Sequence, residues 1–370
     1  MSGPKGASYT LSPAERARMA LAAARVRQAA AERRVAAARS HLAGSDITLP
    51  RSPVPSLTQD AAQVDSFVAE LIAHAEQLEG IVLERRMRSV TTHLSASLAD
   101  LTVDIPLREA PPTTTQSTPG DGTAKLVARV VDLDQALARL PDKVAAPLVE
   151  RLARATALIE KTDAVRAAQA VESLRAEVAQ AQRTETRRLA VGRRKSELTV
   201  AYADVPGDAQ NAWRTLTEAT TDSDLARARA LLDQARETAR RRTEQQFVLH
   251  QAQAALEDLG YRVEKVPGDT ADTLLAQKTG WSHHGLRMLF PQGQRAFSST
   301  PEAYGDTDQR DDVAFETESC QDIDAVLARL ASRGIVVSTH VAIQAGQHPI
   351  HRPTSTQVRG HVAHPRERSL

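Results

Sequence analysis

Aromatic residues are scarce in this sequence. Only 3% of its 370 residues are Phe, Trp or Tyr, and none occurs between Phe67 and Tyr202. Large globular cores usually use bulky rings to fill volume, whereas narrow helix–helix seams can be filled by Ala, Leu and Val. We therefore expect the middle of the chain to form a thin helical bundle.

Cysteine is almost absent as well. Cys320 is the only one, which excludes an intramolecular disulfide and a metal cluster held by several cysteines of one chain. No apolar run approaches the ~20 residues that span a bilayer, and Met1–Leu11 lacks the apolar segment of a secretion signal. These absences favour a cytoplasmic protein with no membrane contact. The excess of Arg over Lys and the many alanines are typical of a GC-rich bacterial source.

Charge is balanced overall but not locally. The formal net charge is +1. Residues 13–43 contain seven arginines and two glutamates, whereas residues 300–324 contain nine carboxylates and one arginine. Opposite signs near the two ends permit head-to-tail contact within or between chains, or binding of the basic segment to nucleic acid.

The longest uninterrupted helical pattern covers Thr221–Gly260. Side chains that are mostly Leu and Ala recur there at alternating three- and four-residue steps, which is the spacing of one face of a helix. An N-cap is expected at 222–223 and a left-handed stop at Gly260, which would give a rod of roughly 55 Å. About halfway, the stripe changes from Leu and Ala to Arg242 and Gln246. We interpret this change as a joint between two halves of the protein.

Composition divides the rest of the N-terminal region. We expect a disordered start, a basic Ala/Arg-rich helix and a linker over 1–57, an amphipathic helix over 58–105, a Pro/Thr linker over 106–122, and a helical-hairpin bundle over 123–245. Met1–Leu11 is the part expected to be disordered, and Ser12 with Glu15 predicts the start of the basic helix by a capping box. The apolar stripes of this helix and of Arg242–Gln246 are underfilled, so we expect another chain to complete them.

The character of the sequence changes after Gly260. We expect a small α+β domain over 246–340 and a disordered tail over 341–370. The pattern predicts strands at Tyr261–Val266, Leu286–Phe290, Arg295–Phe297, Val313–Glu316 and Ile335–Val337, and a helix from Ser319 or Asp322 to Gly334. The predicted fold class is mostly α: an elongated antiparallel helical bundle or coiled coil followed by a small C-terminal α+β domain.

The candidates for a metal site are His283, His284, Glu316, Glu318 and Cys320. Adjacent histidines point to opposite faces of an extended segment, so one chain would supply only one of the two. We therefore interpret the histidines as part of a loop before a strand, and Cys320 as a small buried helix residue.

Four aspartates are spaced somewhat like the ligands of a calcium loop: Asp306, Asp308, Asp311 and Asp312. The glycine and the terminal glutamate that such a loop requires are missing at the expected offsets. We therefore interpret the four residues as a solvated acidic loop.

Motifs for phosphate binding and for nucleophilic catalysis are also missing. Gly192–Ser196 and Gly120–Thr123 contain glycine near Arg, Lys, Ser or Thr, but they lack the spacing of a phosphate-binding loop. The sequence contains no GxSxG, HExxH or CxxC pattern. We predict no cofactor and no enzymatic activity.

The residues best suited to contact a partner are charged positions of the Arg-rich helices and of the acidic segment. They are Arg25, Arg33, Arg34, Arg187, Arg188, Arg193, Arg194, Arg241, Arg242, Asp308, Asp311 and Asp312. Arginine stems also cover apolar surface and favour helix, so solvated helix faces would show the same pattern.

The preferred hypothesis is a non-enzymatic cytoplasmic scaffold. Coiled-coil rods would present an acidic α+β head to a protein partner, with or without self-association. Two alternatives remain open. In one, the Arg-rich helix faces bind the phosphates of a nucleic acid. In the other, the C-terminal domain senses a ligand or a metal ion around His283, His284 and Glu316.

Overall fold

The computed structural model describes residues 5–44, 47–55, 60–99, 120–160, 164–343, 345–347 and 349–353, and it describes their side chains except at 5, 86–99, 120–124, 160 and 164. Contacts divide the chain into two compact units. The sheet unit comprises Met1–Ala24, Asp204–Ala209 and Leu231–Leu370, and the helical unit comprises Arg25–Ala203 and Gln210–Ala230.

The described residues form eight helices and six strands. The helices are α1 (Pro13–Ser40), α2 (Ala61–Ala99), α3 (Gly120–Leu137), α4 (Asp142–Glu160), α5 (Ala164–Ala201), α6 (Gln210–Glu218), α7 (Asp222–Glu257) and α8 (Gln309–Ser332). The strands are β1 (Lys5–Leu11), β2 (Tyr261–Val266), β3 (Ala271–Lys278), β4 (His284–Pro291), β5 (Ala296–Ala303) and β6 (Ile335–Ala342). The prediction of a mostly helical chain with a small C-terminal α+β region is confirmed.

In the helical unit, α3, α4 and α5 pack against one another through aliphatic side chains at helical spacing. The buried members of this cluster are Leu133, Leu137, Leu140, Leu152, Ala155, Val171, Leu174 and Val178. None of them has a ring, because a narrow seam between helices has no room for one. Of the predicted linker over 106–122, residues 106–119 lie outside the described part of the chain, and Gly120–Gly122 begin α3.

The part of α1 from Arg25 onward is anchored within the helical unit. Arg34 donates two hydrogen bonds of 2.9 Å to the carboxylate of Glu79 on α2. The small side chains Ala31 and Ala38 and the larger Val35 are buried without a second chain. Contacts within the chain therefore bury these residues of the apolar stripe of α1.

A pair of carboxylates joins α2 to α5. Burial raises the pKa of Glu76, and a hydrogen bond with Glu197 and the charge of Glu197 raise it further. The folded state therefore holds this proton more tightly than the unfolded chain does. The resulting stabilisation is present at low pH and is lost as the pH rises through the folded-state pKa.

We expect Glu76→Gln to stabilise the protein at pH 8, because glutamine keeps a hydrogen-bond donor without carrying a charge. The thermal midpoint should rise by about 1–3 °C at pH 8 and should not rise at pH 4. Thermal unfolding followed by circular dichroism at the two pH values measures the difference, with the exposed Glu70→Gln on the same helix as control. A gain confined to pH 4 would contradict this prediction.

The sheet has six strands in the order β2-β3-β4-β5-β1-β6, and every neighbouring pair is antiparallel. The N-terminal strand β1 lies between β5 and β6. The predicted disorder of Met1–Leu11 is therefore wrong for Lys5–Leu11. The paired residues lie 288–294 positions away on β5 and 324–337 positions away on β6, so no local pattern could indicate this pairing.

One face of the sheet carries the core of the unit. Ala7, Tyr9 and Leu11 of β1 alternate with polar residues and are buried against the helices. The residues that α7 and α8 contribute to this core are Val248, Leu249, Ala252, Ala255, Leu256, Ile323, Val326 and Leu330. The first nine residues of α7, Asp222–Ala230, belong to the helical unit, and the remainder, from Leu231, belongs to the sheet unit.

Both ends of α7 have clear causes. The N–H of Asp224 donates to Thr221 Oγ1 at 3.2 Å, and the carboxylate of Asp224 accepts from the N–H of Thr221 at 2.9 Å. Gly260 has a φ of 86°, so the predicted left-handed stop is confirmed. At the polar break in the stripe, Gln246 donates to the Asp272 carboxylate on β3 and accepts from Lys265 Nζ on β2, and its neighbour Gln245 contacts the hairpin of β4 and β5. Gln245 is buried, and it donates to Phe290 O and accepts from the N–H of Gly293.

Helix α8 begins earlier than the sequence predicts. The predicted strand at Val313–Glu316 is wrong, because these residues lie in the first two turns of the helix. Asp308 caps it by accepting from the N–H of Arg310 at 3.0 Å. Phe315 and Ile323 lie on the same face of this helix, and both are buried. The acidic composition of the first turns concealed this periodicity.

The predicted disorder of 341–370 is wrong in part. Val341 and Ala342 belong to β6, and the segment 349–353, which we call the clasp, folds back onto the end of β5. Within the clasp, Ile350 is buried with Ala303 and Phe315. Residues 354–370 lie outside the described part of the chain.

Candidate functional site

The strands of the sheet have a second side, opposite the one on which α7 and α8 pack. Because Tyr9 and Phe297 point into the core, their strand neighbours Ser8 and Ser298 point to the other side. We call this side the open face. It is formed by Gly6, Ser8, Thr10, Thr273, Leu275, Arg287, Leu289, Ala296, Ser298, Thr300, Val336, Ser338 and Val341. None of these side chains belongs to the core that α7 and α8 form with the sheet.

The open face is chemically uniform over its central strands. Small side chains and hydroxyl groups dominate β1 and β5, and Val336 and Val341 on β6 are 56% and 53% exposed. Among the residues named above, only Arg287 carries a charge; the edge strand β2 adds Arg262 and Glu264 on the same side of the sheet. Such a surface offers area and hydrogen-bonding groups to a docked protein. One of its hydroxyl groups, Ser8 Oγ, lies 2.6 Å from His340 Nε2.

A buried carboxylate lies at one end of the open face. Glu302 is only 2% exposed, and its oxygens accept from Arg287 Nε at 2.8 Å and from Tyr304 Oη at 3.3 Å. His351 Nδ1 lies 3.0 Å from Oε1. The Tyr304 ring lies against Gly285, where a Cβ atom would come within 2.7 Å of the hydroxyl. Burial, followed by the charge of Glu302, raises the pKa of Tyr304, which keeps it a neutral donor.

A second buried carboxylate lies on the helix side. Asp312 contacts His284 Nε2 at 2.9 Å, Thr307 Oγ1 at 2.6 Å and a guanidinium nitrogen of Arg352 at 2.9 Å. Burial alone would raise the pKa of Asp312, but the hydrogen bonds from Thr307 and His284 and the charge of Arg352 lower it. Asp312 is therefore held as a carboxylate.

The two carboxylates fasten the clasp to the sheet. His351 reaches Glu302, Arg352 reaches Asp312, and the N–H of Ala303 donates to His351 O at 3.0 Å. Each carboxylate already accepts several hydrogen bonds from fixed groups of the same unit. In the described part of the chain, these hydrogen bonds hold the clasp against β5 and α8.

The structure does not bring the predicted metal candidates together. His283 is exposed, whereas His284 is buried against Asp312. Glu316 accepts from the N–H of Gly346, and Cys320 is buried in α8. Among the described residues, no group of three or more His, Cys, Asp or Glu side chains is arranged to hold a metal ion.

Glu318, the remaining metal candidate, belongs to an ion-pair cluster. Lys278 Nζ donates to Glu318 at 2.7 Å and to Asp322 at 2.9 Å, and Trp281 Nε1 donates to Glu318 at 2.9 Å. The hydrogen bond from Lys278 is the main reason that the pKa of Glu318 is lowered. Basic side chains of the sheet unit therefore pair with part of the acidic segment. The surface of this unit carries less negative charge than the sequence indicates.

Three of the predicted partner-binding residues have roles inside the fold. Arg34 binds Glu79, Asp308 caps α8, and Asp312 is buried. A second set pairs with carboxylates at the surface: Arg188 with Glu185, Arg194 with Asp222, Arg241 with Glu237, and Arg242 with Asp208. The remaining predicted residues, Arg25, Arg33, Arg187, Arg193 and Asp311, are exposed. No contact with a partner tests any of them.

Sequence reasoning missed the open face altogether. Its only local signals are the polar alternation of Gly6, Ser8 and Thr10 and that of Ser298 and Thr300. Alternation of this kind predicts a strand with one solvated face, but it does not show which strands lie side by side. The open face exists only because β1 joins β5 to β6.

No protein-family model matches this sequence, and searches of curated proteins and of solved structures returned no match. In the described part of the chain, no helix carries an apolar stretch long enough to cross a bilayer.

Proposed function

We propose that this chain is a non-enzymatic cytoplasmic scaffold that binds a protein partner through the open face of its sheet unit. The helical unit, as antiparallel bundles or coiled coils, provides reach, and the sheet unit provides recognition. We assign the partner-binding surface to the sheet and not to the acidic segment, because Asp312 and Glu302 are buried and paired with basic side chains.

The observation that carries the proposal is the half-buried, nearly uncharged surface that the central strands present on the side away from α7 and α8. Ser8, Ser298 and Thr300 lie on neighbouring strands and project away from the helices. Charged residues are depleted at the centres of protein interfaces, where they would lose hydration. A surface of hydroxyl groups and small side chains therefore suits a partner that lies flat on the sheet.

The two alternatives have less support. Arg188, Arg194 and Arg241 pair with neighbouring carboxylates, which reduces the positive charge that a nucleic acid would meet. The groups around His284 are bound to one another.

The test places a photo-crosslinking amino acid at position 298 of the full chain, in the centre of the open face. A matched protein carries it at position 314, where Ala314 is exposed on α8. After irradiation in cells, we expect a defined adduct with another protein from position 298 and a much weaker one from position 314. Adding Thr300→Arg should reduce the adduct by about tenfold, because a charge buried without a partner costs at least ~1.4 kcal/mol. Equal labelling from both positions, or none from position 298, would refute the proposal.

A further inference from the structure

In the described part of the chain, the sheet ends in two edge strands, β2 on one side and β6 on the other. We infer that β6 pairs antiparallel with β6 of a second copy of this chain, so that two six-stranded sheets become continuous. The inference concerns the edge of the sheet, and it holds or fails independently of what binds the open face.

The two edges of the sheet differ in their protection. β2 is six residues long, contains Arg262, Glu264 and Lys265, and is followed by Pro267. Charged residues and proline are the usual devices that prevent a strand edge from pairing with another chain. β6 is eight residues long, and its sequence, Ile-Val-Val-Ser-Thr-His-Val-Ala, contains no Asp, Glu, Lys, Arg or Pro. β6 has one irregularity, a register shift against Gly6 and Ala7 of β1 that falls between Thr339 and Val341, and Ile335–Thr339 forms the regular, uncharged part of this edge.

The hydrogen-bond register fixes which backbone groups of β6 point outward. The N–H of Tyr9 donates to Arg295 O on the β5 side, and the N–H of Ser12 donates to Gly334 O on the β6 side. Because successive residues of an antiparallel strand point to alternate sides, Ser8 pairs with Ser338 through hydrogen bonds. Val337 and Thr339 therefore direct their N–H and C=O groups away from the sheet.

The side chains at this edge are also uncovered. Ser338, Thr339, His340 and Val341 are exposed in succession, so both faces of the strand are accessible there. Among the described residues, no other strand pairs with this edge. An accessible uncharged edge with unpaired backbone groups is a ready template for a further strand.

A second copy fits this edge for a physical reason. Two-fold pairing places β6 beside itself, and a strand without formal charge meets no like-charge repulsion there. If the two-fold axis passes near Ser338, the outward groups of Val337 in one chain meet those of Thr339 in the other. The pairing closes after two copies, which removes the open edge instead of extending a filament. A single strand pair buries little area, so we expect a reversible dimer of micromolar affinity.

The test uses sedimentation velocity of the full chain over a wide range of concentrations. We expect a monomer–dimer equilibrium. Thr339→Pro removes an outward N–H without removing a bond to β1, and Ser338→Lys brings two like charges together at the axis. Each change should raise the dimer dissociation constant by about tenfold or more. Val266→Lys, on the opposite edge strand, is the matched control and should leave the constant unchanged.

Hydrogen exchange gives an independent readout. The amides of Val337 and Thr339 should become more protected as the protein concentration rises, whereas that of Val263 on β2 should not change. Far-UV circular dichroism and the thermal midpoint establish that the variants remain folded. A chain that stays monomeric at every concentration overturns the inference. So does a dimer that both variants leave intact, or a monomer whose β6 edge is occupied by a different protein.

Discussion

A chain that begins at Ser12 should fail to fold its sheet unit. The deletion removes β1, which lies between β5 and β6 and pairs with both. Without β1, a gap one strand wide would separate β5 from β6, and β6 would have no neighbour within the sheet. The deletion also removes the buried side chains Ala7, Tyr9 and Leu11 from the core.

The size of the effect follows from a single residue of that strand. Tyr9 is 2% exposed, and truncating a buried aromatic side chain to alanine costs about 3–5 kcal/mol. That is a large part of the roughly 5–15 kcal/mol that stabilises a typical domain. Loss of the entire strand should exceed it. An isolated 246–340 fragment, the domain boundary that the sequence predicts, should be unfolded for the same reason.

The measurement is near-UV circular dichroism and thermal unfolding of the full chain, the truncated chain and two point variants. Tyr9→Ala should lose about 3–5 kcal/mol. Thr10→Ala, on the exposed side of the same strand, should change stability by less than about 0.5 kcal/mol. A truncated chain that keeps a cooperative transition of the sheet unit would show that β1 is dispensable.

Tyr9 also gives this prediction a pH signature. Burial, with a smaller contribution from the charge of Glu244 and an opposing one from Arg295, raises the pKa of Tyr9 to about 12. The unfolded chain loses this proton near pH 10, so the stabilisation is present below that pH and is lost between about 10 and 12. We expect Tyr9→Phe to remove this alkaline loss while keeping most of the packing.

Replacing Glu302 with alanine should be the most destabilising single change at the polar end of the sheet. The variant leaves Arg287, Tyr304 and His351 without their shared acceptor. Breaking a buried pair by removing one partner typically costs about 3–5 kcal/mol. Because the side chains of Arg287 and His351 are 29% and 44% exposed and can be hydrated, we expect about 2–4 kcal/mol here.

The clasp supplies a specific readout for this change. The N–H of Ala303 donates to His351 O, so its exchange with solvent reports whether the clasp is in place. In Glu302→Ala, we expect that amide to exchange faster while the amides of β3 remain protected. Glu302→Gln should show a smaller effect, because it keeps an acceptor of the same shape. Thr300→Ala on the same strand is the control, and equal exchange in Glu302→Ala and in the control would contradict a role of Glu302 in holding the clasp.

Some elements were determined by the sequence alone. The spacing over Thr221–Gly260 predicted α7, and Gly260 ended it as expected because only a residue without a side chain adopts a positive φ freely. The strand β2 and the hairpin of β4 and β5 were also predicted, since alternation and a four-residue turn at 291–294 are local signals. These elements depend on residues that are close together along the chain.

The other elements were decided by the tertiary structure. β1 became a strand because β5 and β6 lie on either side of it, and the clasp became ordered because Glu302 and Asp312 bind His351 and Arg352. The acidic segment became the capped start of a helix in which Asp312, Glu318 and Asp322 pair with basic side chains. The open face and the outer edge of β6 follow from strand order, which depends on pairing between residues 324–337 positions apart. Local composition cannot encode such pairings, because their free energy appears only when the distant strands meet.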